Sequence, residues 1–171
     1  MIIEKIRPMQ SDERRMMPDF MYEAVFQKDE SRPIPRSVIN EPTVRIYHER
    51  FGSCADDLCL LALAEGQAVG AVWTRLLNGP IKGYGYVDDT TPELSISVLK
   101  PYRAQGIGSA LIQAMLTLLC ERGYTQVSLS VTKENPAVRL YKRLGFVIVK
   151  ETDEDYIMTY TLANPPCISE Q

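Results

Sequence analysis

Apolar and charged residues alternate from Ile2 to Met9, the period of a strand with one covered face. Ser11-Asp12-Glu13 offers a helix start, and Pro18 suits a first helical turn, where its missing N–H costs nothing. Behind it Met17, Phe20, Met21, Ala24 and Val25 recur at helical spacing. Ser31-Arg32-Pro33-Ile34-Pro35 breaks the pattern into a loop, and Thr43 to Phe51 predicts a short second helix. Leu58 to Ala64 is an unbroken apolar run, as expected of a strand covered on both faces. Glu65-Gly66-Gln67 reads as a tight hairpin turn, with Ala68 to Leu76 as the returning strand. Asn78 to Pro92 is a long loop rich in glycine and acidic residues.

The second half is more regular. Leu94, Ile96 and Val98 alternate with Glu93, Ser95 and Ser97, a strand from Glu93 to Leu99. A helix from about Gly106 to Arg122 carries Ile107, Leu111, Met115 and Leu118 on one stripe, with Gly123 to end it. Gln126 to Val131 alternates again, and Asn135 caps a helix whose first residue is Pro136 and whose closing residue is Gly145. Phe146 to Lys150 and Tyr156 to Leu162, joined by an acidic turn, predict an antiparallel hairpin. The order β-α-α-β-β-β-α-β-α-β-β implies an α/β fold, a mixed sheet with helices on both faces. Residues 1–163 are expected to form one domain and 164–171 a frayed tail.

Composition narrows the function more than the fold. The 171 residues suit one domain, and 45% hydrophobic with 24% charged residues is the mix of a globular protein. With 19 basic and 22 acidic residues the net charge is −3, which offers no footprint for nucleic acid and predicts no membrane partner. The start lacks a secretory hydrophobic block, and no apolar run approaches the roughly 18 residues that span a bilayer. Cys54, Cys59, Cys120 and Cys167 show no Cys-x-x-Cys spacing, and His48 is the single histidine, so no metal site is expected. Reduced cysteines and the missing signal fit a cytoplasmic protein.

The candidate chemistry sits in Arg103-Ala104-Gln105-Gly106-Ile107-Gly108-Ser109, between strand and helix. Gly106 and Gly108 let main chain approach a ligand, and the first helical turn offers unpaired N–H groups at a positive dipole end. That is an anion site suited to a pyrophosphate, with Arg103 adding charge. No lysine follows Gly108 as a Walker loop requires, and Leu111 stands where a dinucleotide fingerprint needs a third small residue. On the turn alone, glycines that merely permit a sharp bend and close helix packing would serve equally well.

The stretch Glu93-Leu94-Ser95-Ile96-Ser97-Val98-Leu99-Lys100-Pro101-Tyr102-Arg103-Ala104-Gln105-Gly106-Ile107-Gly108 resembles the signature of GNAT acetyltransferases. The family's second hallmark follows in order as Asn135-Pro136-Ala137-Val138-Arg139-Leu140-Tyr141-Lys142-Arg143-Leu144-Gly145-Phe146. The resemblance implies a mostly antiparallel sheet with a splayed parallel pair and acetyl-CoA as co-substrate. In that family the main chain near Ile96, Val98 and Leu99 pairs with the pantetheine arm. Amides of Gln105, Gly106, Ile107, Gly108 and Ser109, with Arg103, hold the pyrophosphate, and the Asn135 position also contacts the cofactor. The resemblance makes Tyr141 the general acid beside the sulfur and Glu93 the candidate base, with Asp88, Asp89, His48 or a water chain as other bases.

The implied reaction is direct transfer of an acetyl group to a primary amine of a small molecule or peptide. The acceptor groove is expected between residues 18–51 and Asn78–Pro92, where Gly83-Tyr84-Gly85-Tyr86-Val87-Asp88-Asp89 combines aromatics with carboxylates. A non-catalytic acyl-CoA sensor and a nucleotide-binding regulator are the rival readings. A homodimer is compatible with all of them.

Overall fold

The computed structural model describes residues 5–163. The beginning of the strand expected from Ile2 and the tail at 164–171, Cys167 included, lie outside the described residues. The described residues form one seven-stranded sheet: β1 (Lys5–Pro8), β2 (Leu58–Ala64), β3 (Gln67–Arg75), β4 (Glu93–Val98), β5 (Gln126–Thr132), β6 (Val147–Glu151) and β7 (Asp155–Thr161). Their spatial order is β1-β2-β3-β4-β5-β7-β6. All neighbours are antiparallel except β4 and β5, which run parallel and meet at a single Cα pair, Glu93 with Ser128. Beyond that pair the two strands diverge, the splay that the resemblance implied.

The unbroken apolar run of β2 divides between two cores. Leu60, Ala62 and Ala64 face a cluster with Leu111, Met115 and Leu119 from α3 (Ile107–Glu121) and Val138 and Tyr141 from α4 (Ala137–Leu144). Cys59 and Leu61 face the other side, with Met17, Phe20 and Met21 from α1 (Met17–Ala24), Val44 from α2 (Pro42–Arg45) and the fully buried Trp73. The period-2 pattern of the strands thus sorts apolar side chains to two helical layers.

Two early elements differ from expectation. Residues 11–16 form a 3₁₀ turn before α1 rather than its first turn; Glu13 reaches back to the Gln10 N–H at 2.7 Å and pairs with Arg7, which ties the turn to β1. The helix predicted from Thr43 to Phe51 lasts only through Arg45. Carbonyls that would extend it are taken by side chains from β3: Arg75 Nη1 donates to Ile46 O (3.0 Å) and Glu49 O (2.7 Å), and Trp73 Nε1 donates to Tyr47 O (3.0 Å). Propensity yields to these tertiary donors.

Candidate active site

The divergence of β4 and β5 opens a cleft of about 820 Å³. Its walls are β4, the 3₁₀ turn at Lys100–Tyr102, the starts of α3 and α4, and the segment that follows α1. Hydrogen bonds identify which groups of β4 face it. The Leu99 N–H donates to Val69 O on β3 (2.8 Å), whereas Pro92 O accepts from Ser128 N on β5 (3.0 Å). Because main-chain groups alternate edges along a strand, those of Ile96 and Val98 point into the splay. Leu99 is therefore turned to β3 and lies outside the cleft lining, against the expectation that it shares the open edge.

At the far end of β4 the chain enters α3 through Gly106, whose φ of +82° is left-handed. A side chain there would be strained, and the added Cβ would meet no atom within 4 Å, so the space beside the turn is open. No side chain caps α3, which leaves its first N–H groups available to an anion at the positive end of a 15-residue helix. Gly106, Ile107, Gly108 and Ser109 all line the cleft; Gln105 does not, and its side chain donates to Pro101 O (3.3 Å). Asn135 lines it from the opposite wall while its Oδ1 accepts the Ala137 N–H (2.9 Å), the cap read from the sequence.

Arg103 also lines the cleft, but it is held from both sides: Nε donates to Val98 O (2.8 Å) and Nη2 lies 3.3 Å from Glu23. With Lys100–Glu30 (2.7 Å) and Lys28–Glu134 (3.5 Å), this pair ties the end of α1 and the segment after it to both sides of the splay. The sequence offered no sign of these pairs, whose partners lie 70 or more positions apart.

Tyr141 reaches the cleft from α4 and packs its ring on Phe146, 5.9 Å between centroids. Burial pushes its phenol up to about 12, so it stays protonated at neutral pH. Among the described residues its hydroxyl has no hydrogen-bond partner inside the protein. Ser97 Oγ is buried on β4 and likewise unpartnered, an orphaned polar atom on the cleft wall.

Glu93 is placed differently. It lies on the α1 side of the sheet, 4% exposed, and does not line the cleft. Its Oε2 accepts the Tyr47 hydroxyl and its Oε1 the Gly85 N–H (3.0 Å). Burial pushes the carboxyl up to about 7, while both donors pull it down. Of the other expected bases, Asp88 is engaged by the Thr90 and Thr91 amides (3.0 and 2.8 Å), Asp89 by Tyr86 (2.6 Å) and His48 Nε2 by Ile39 O (2.8 Å). Among the described residues no group of three or more His, Cys, Asp or Glu is placed to hold a metal, and no helix is long and apolar enough to cross a membrane. Tyr47 was missed in the sequence: its spacing from Val44 and Phe51 marks a buried helical face but not a carboxylate partner.

A family model described as acetyltransferase (GNAT) family matches residues 22–146. The chain belongs to the GNAT acetyltransferase family. An N-alpha-acetyltransferase MAK3 from Arabidopsis thaliana is 29% identical over 120 residues, 70% of this chain and 60% of that protein. A mycothiol acetyltransferase from Saccharomonospora viridis is 36% identical over 110 residues, 60% of this chain but only 33% of that protein. The chain thus spans between a third and three fifths of these two relatives' lengths. Among solved structures, a PaiA N-acetyltransferase from Thermoplasma acidophilum in complex with coenzyme A superposes with a TM-score of 0.67 at 18% identity, covering 94% of this chain and 99% of that one. The GNAT fold accounts for the single parallel seam and the cleft that opens from it.

Proposed function

We propose that this chain transfers an acetyl group from acetyl-CoA to a primary amine of a small molecule or peptide, by direct attack in a ternary complex. The observation that carries the reading is the shared cleft: an open β4 edge, an uncapped start of α3 and the free Tyr141 hydroxyl face one space. These residues fit coenzyme A. Main chain at Ile96 and Val98 suits an extended amide-bearing arm, the orphaned Ser97 hydroxyl wants a polar partner, and the amides from Gly106 to Ser109 suit a diphosphate. When bound, acetyl-CoA supplies an activated thioester carbonyl and a thiol leaving group.

The chain's own residues manage protons. An alkylamine has a pKa near ~10.4 and must lose a proton before it attacks. Glu93, held near neutrality by burial, is the carboxyl suited to take that proton. Tyr141, kept protonated by its apolar surroundings, donates to the departing sulfur. The relatives, one named for N-alpha acetylation and one for mycothiol, support an acyl acceptor without choosing between a peptide and a small molecule.

One observation favours a non-catalytic acyl-CoA sensor: Glu93 does not line the cleft. Thiol release from acetyl-CoA across a panel of amines and N-terminal peptides separates the two readings. Turnover is expected with at least one acceptor, and Tyr141→Phe should lower kcat about 100-fold or more with CoA affinity nearly unchanged. Tight CoA binding without thiol release from any amine would favour the sensor.

A further inference from the structure

The buried Glu93 carboxyl closes a small circuit of hydrogen bonds. Tyr47 Oη donates to Glu93 Oε2 and accepts the Tyr84 N–H (2.7 Å), while the Gly85 N–H donates to Glu93 Oε1 (3.0 Å). The loop is thereby seated on the carboxyl through two successive amides. Gly83 and Gly85 make the seat possible. A Cβ at Gly83 would run into Glu93 Oε1, and one at Gly85 would come within 2.8 Å of Leu129 C, 2.9 Å of Ser130 N and 3.0 Å of Glu93 Cδ. Tyr47 is itself fixed by Trp73 Nε1 on its carbonyl (3.0 Å) and by the Tyr84 ring stacked on its own, 6.4 Å between centroids. Tyr84, at the top of the stack, is 53% exposed.

We infer that Tyr47 is a positioning residue: it couples the seating of the Gly83–Tyr86 loop to the Glu93 carboxyl, which meets the acceptor amine only when this loop lifts. The inference rests on the acyl-transfer reading. Glu93 begins β4 at the one point where β4 touches β5, so the loop covers the apex of the splay on the side away from α3 and α4. A carboxyl able to accept a proton lies there beneath Gly83, Tyr84 and Gly85.

Protonation and seating are linked. The seated loop removes water from Glu93 and so favours its protonated form; lifting restores water and favours the carboxylate. A rise in pH through neutrality therefore favours the lifted loop. The other described groups at this carboxyl are a phenol, a guanidinium and a hydroxyl. Burial keeps the Tyr47 phenol protonated far above its ordinary range. Arg75 stands opposite Glu93 on β3, but its guanidinium is engaged by Asp57 (3.0 and 3.3 Å) and two carbonyls. Ser128, opposite on β5, is neutral.

Amide hydrogen exchange of the full chain at pH 6 and pH 8, corrected for intrinsic rates, tests the coupling. The Tyr84 and Gly85 amides should exchange at least tenfold faster at pH 8, and Tyr47→Phe should abolish the pH difference by freeing them at both values. Where an acceptor is found, Tyr47→Phe should move the acid limb of the kcat/KM profile downward, because a rehydrated Glu93 returns toward the ordinary carboxylate range. Loss of the hydroxyl without lifting would move that limb upward, since one donor to the carboxylate is gone. Should Tyr47→Phe fail to fold, Gly85→Ala unseats the loop while leaving both side chains in place, with the same expected exchange. pH-independent protection of both amides in the natural chain, or an upward shift in Tyr47→Phe, overturns the inference. Absence of turnover with every amine would instead remove the acyl-transfer reading, and the exchange arm would still decide the coupling.

Discussion

At the residue scale the decisive contrast is between two buried acids. Tyr141 is pushed up to about 12 by an apolar site, which keeps a proton donor loaded. Glu93 is pushed up to about 7 by the same physics, the range in which the proposed base role requires it to titrate. The second shift has a consequence for stability that needs no substrate. Because the folded chain holds the Glu93 proton more tightly than the unfolded chain, stability falls as pH rises from about 4.5 toward about 7 and is flat in this respect above it. Glu93→Gln removes that titration. Unfolding free energies of this variant from urea titrations should therefore gain on those of the natural chain between pH 5 and pH 8, by up to about 3 kcal/mol. A constant offset over that range would mean that Glu93 is already ionised when folded.

At the element scale the two edges of β4 differ. The Leu99 amide is bonded to β3, and Ser95 and Ser97 share that side by alternation. Ile96 and Val98 face the splay. Exchange along β4 without ligand should therefore alternate, with slow amides at 95, 97 and 99 and fast ones at 96 and 98. Coenzyme A should slow the fast pair selectively; uniform protection before and after addition would show that the edge is not open. The alternation that marks β4 as a strand was plain in the sequence, as were the glycine turn at 106–108 and the Asn135 cap, because each is set by neighbours a few positions away. The early helices were read less well. The helix expected from Thr43 to Phe51 stops at Arg45 since Trp73 and Arg75, about 26 to 29 positions later, claim its carbonyls. Tyr47 and the ion pairs that close the segment after α1 were invisible for the same reason: their partners are brought together only by the sheet. Leu99 was assigned to the wrong edge because a sequence gives the period of a strand but not which neighbour each amide meets.

At the scale of the whole molecule, the sheet is two antiparallel blocks, β1–β4 and β5–β7, joined by one parallel Cα pair and by the helices packed across them. A molecule that bonds to the open edge adds contacts the unfolded chain cannot make. Coenzyme A at about 100 times its Kd should add ~2.7 kcal/mol of stability, a rise in Tm of roughly 5–10 °C for a chain of this size. A scanning-fluorimetry series with CoA, ATP and NAD reads this directly, and equal shifts for all three would argue against a pantetheine site. The splay also bears on solubility. Unsatisfied strand edges ordinarily recruit other strands, and proteins suppress this at the rim of a sheet with charge or twist. Here the unsatisfied edge is interior, recessed between α3 and α4 on one side and the ion-paired segment after α1 on the other. A polypeptide bearing side chains on both faces is a poor match for so confined a slot, whereas a slender unbranched arm is a good one. The same recess that suits such an arm thus keeps this interior edge from recruiting a further strand.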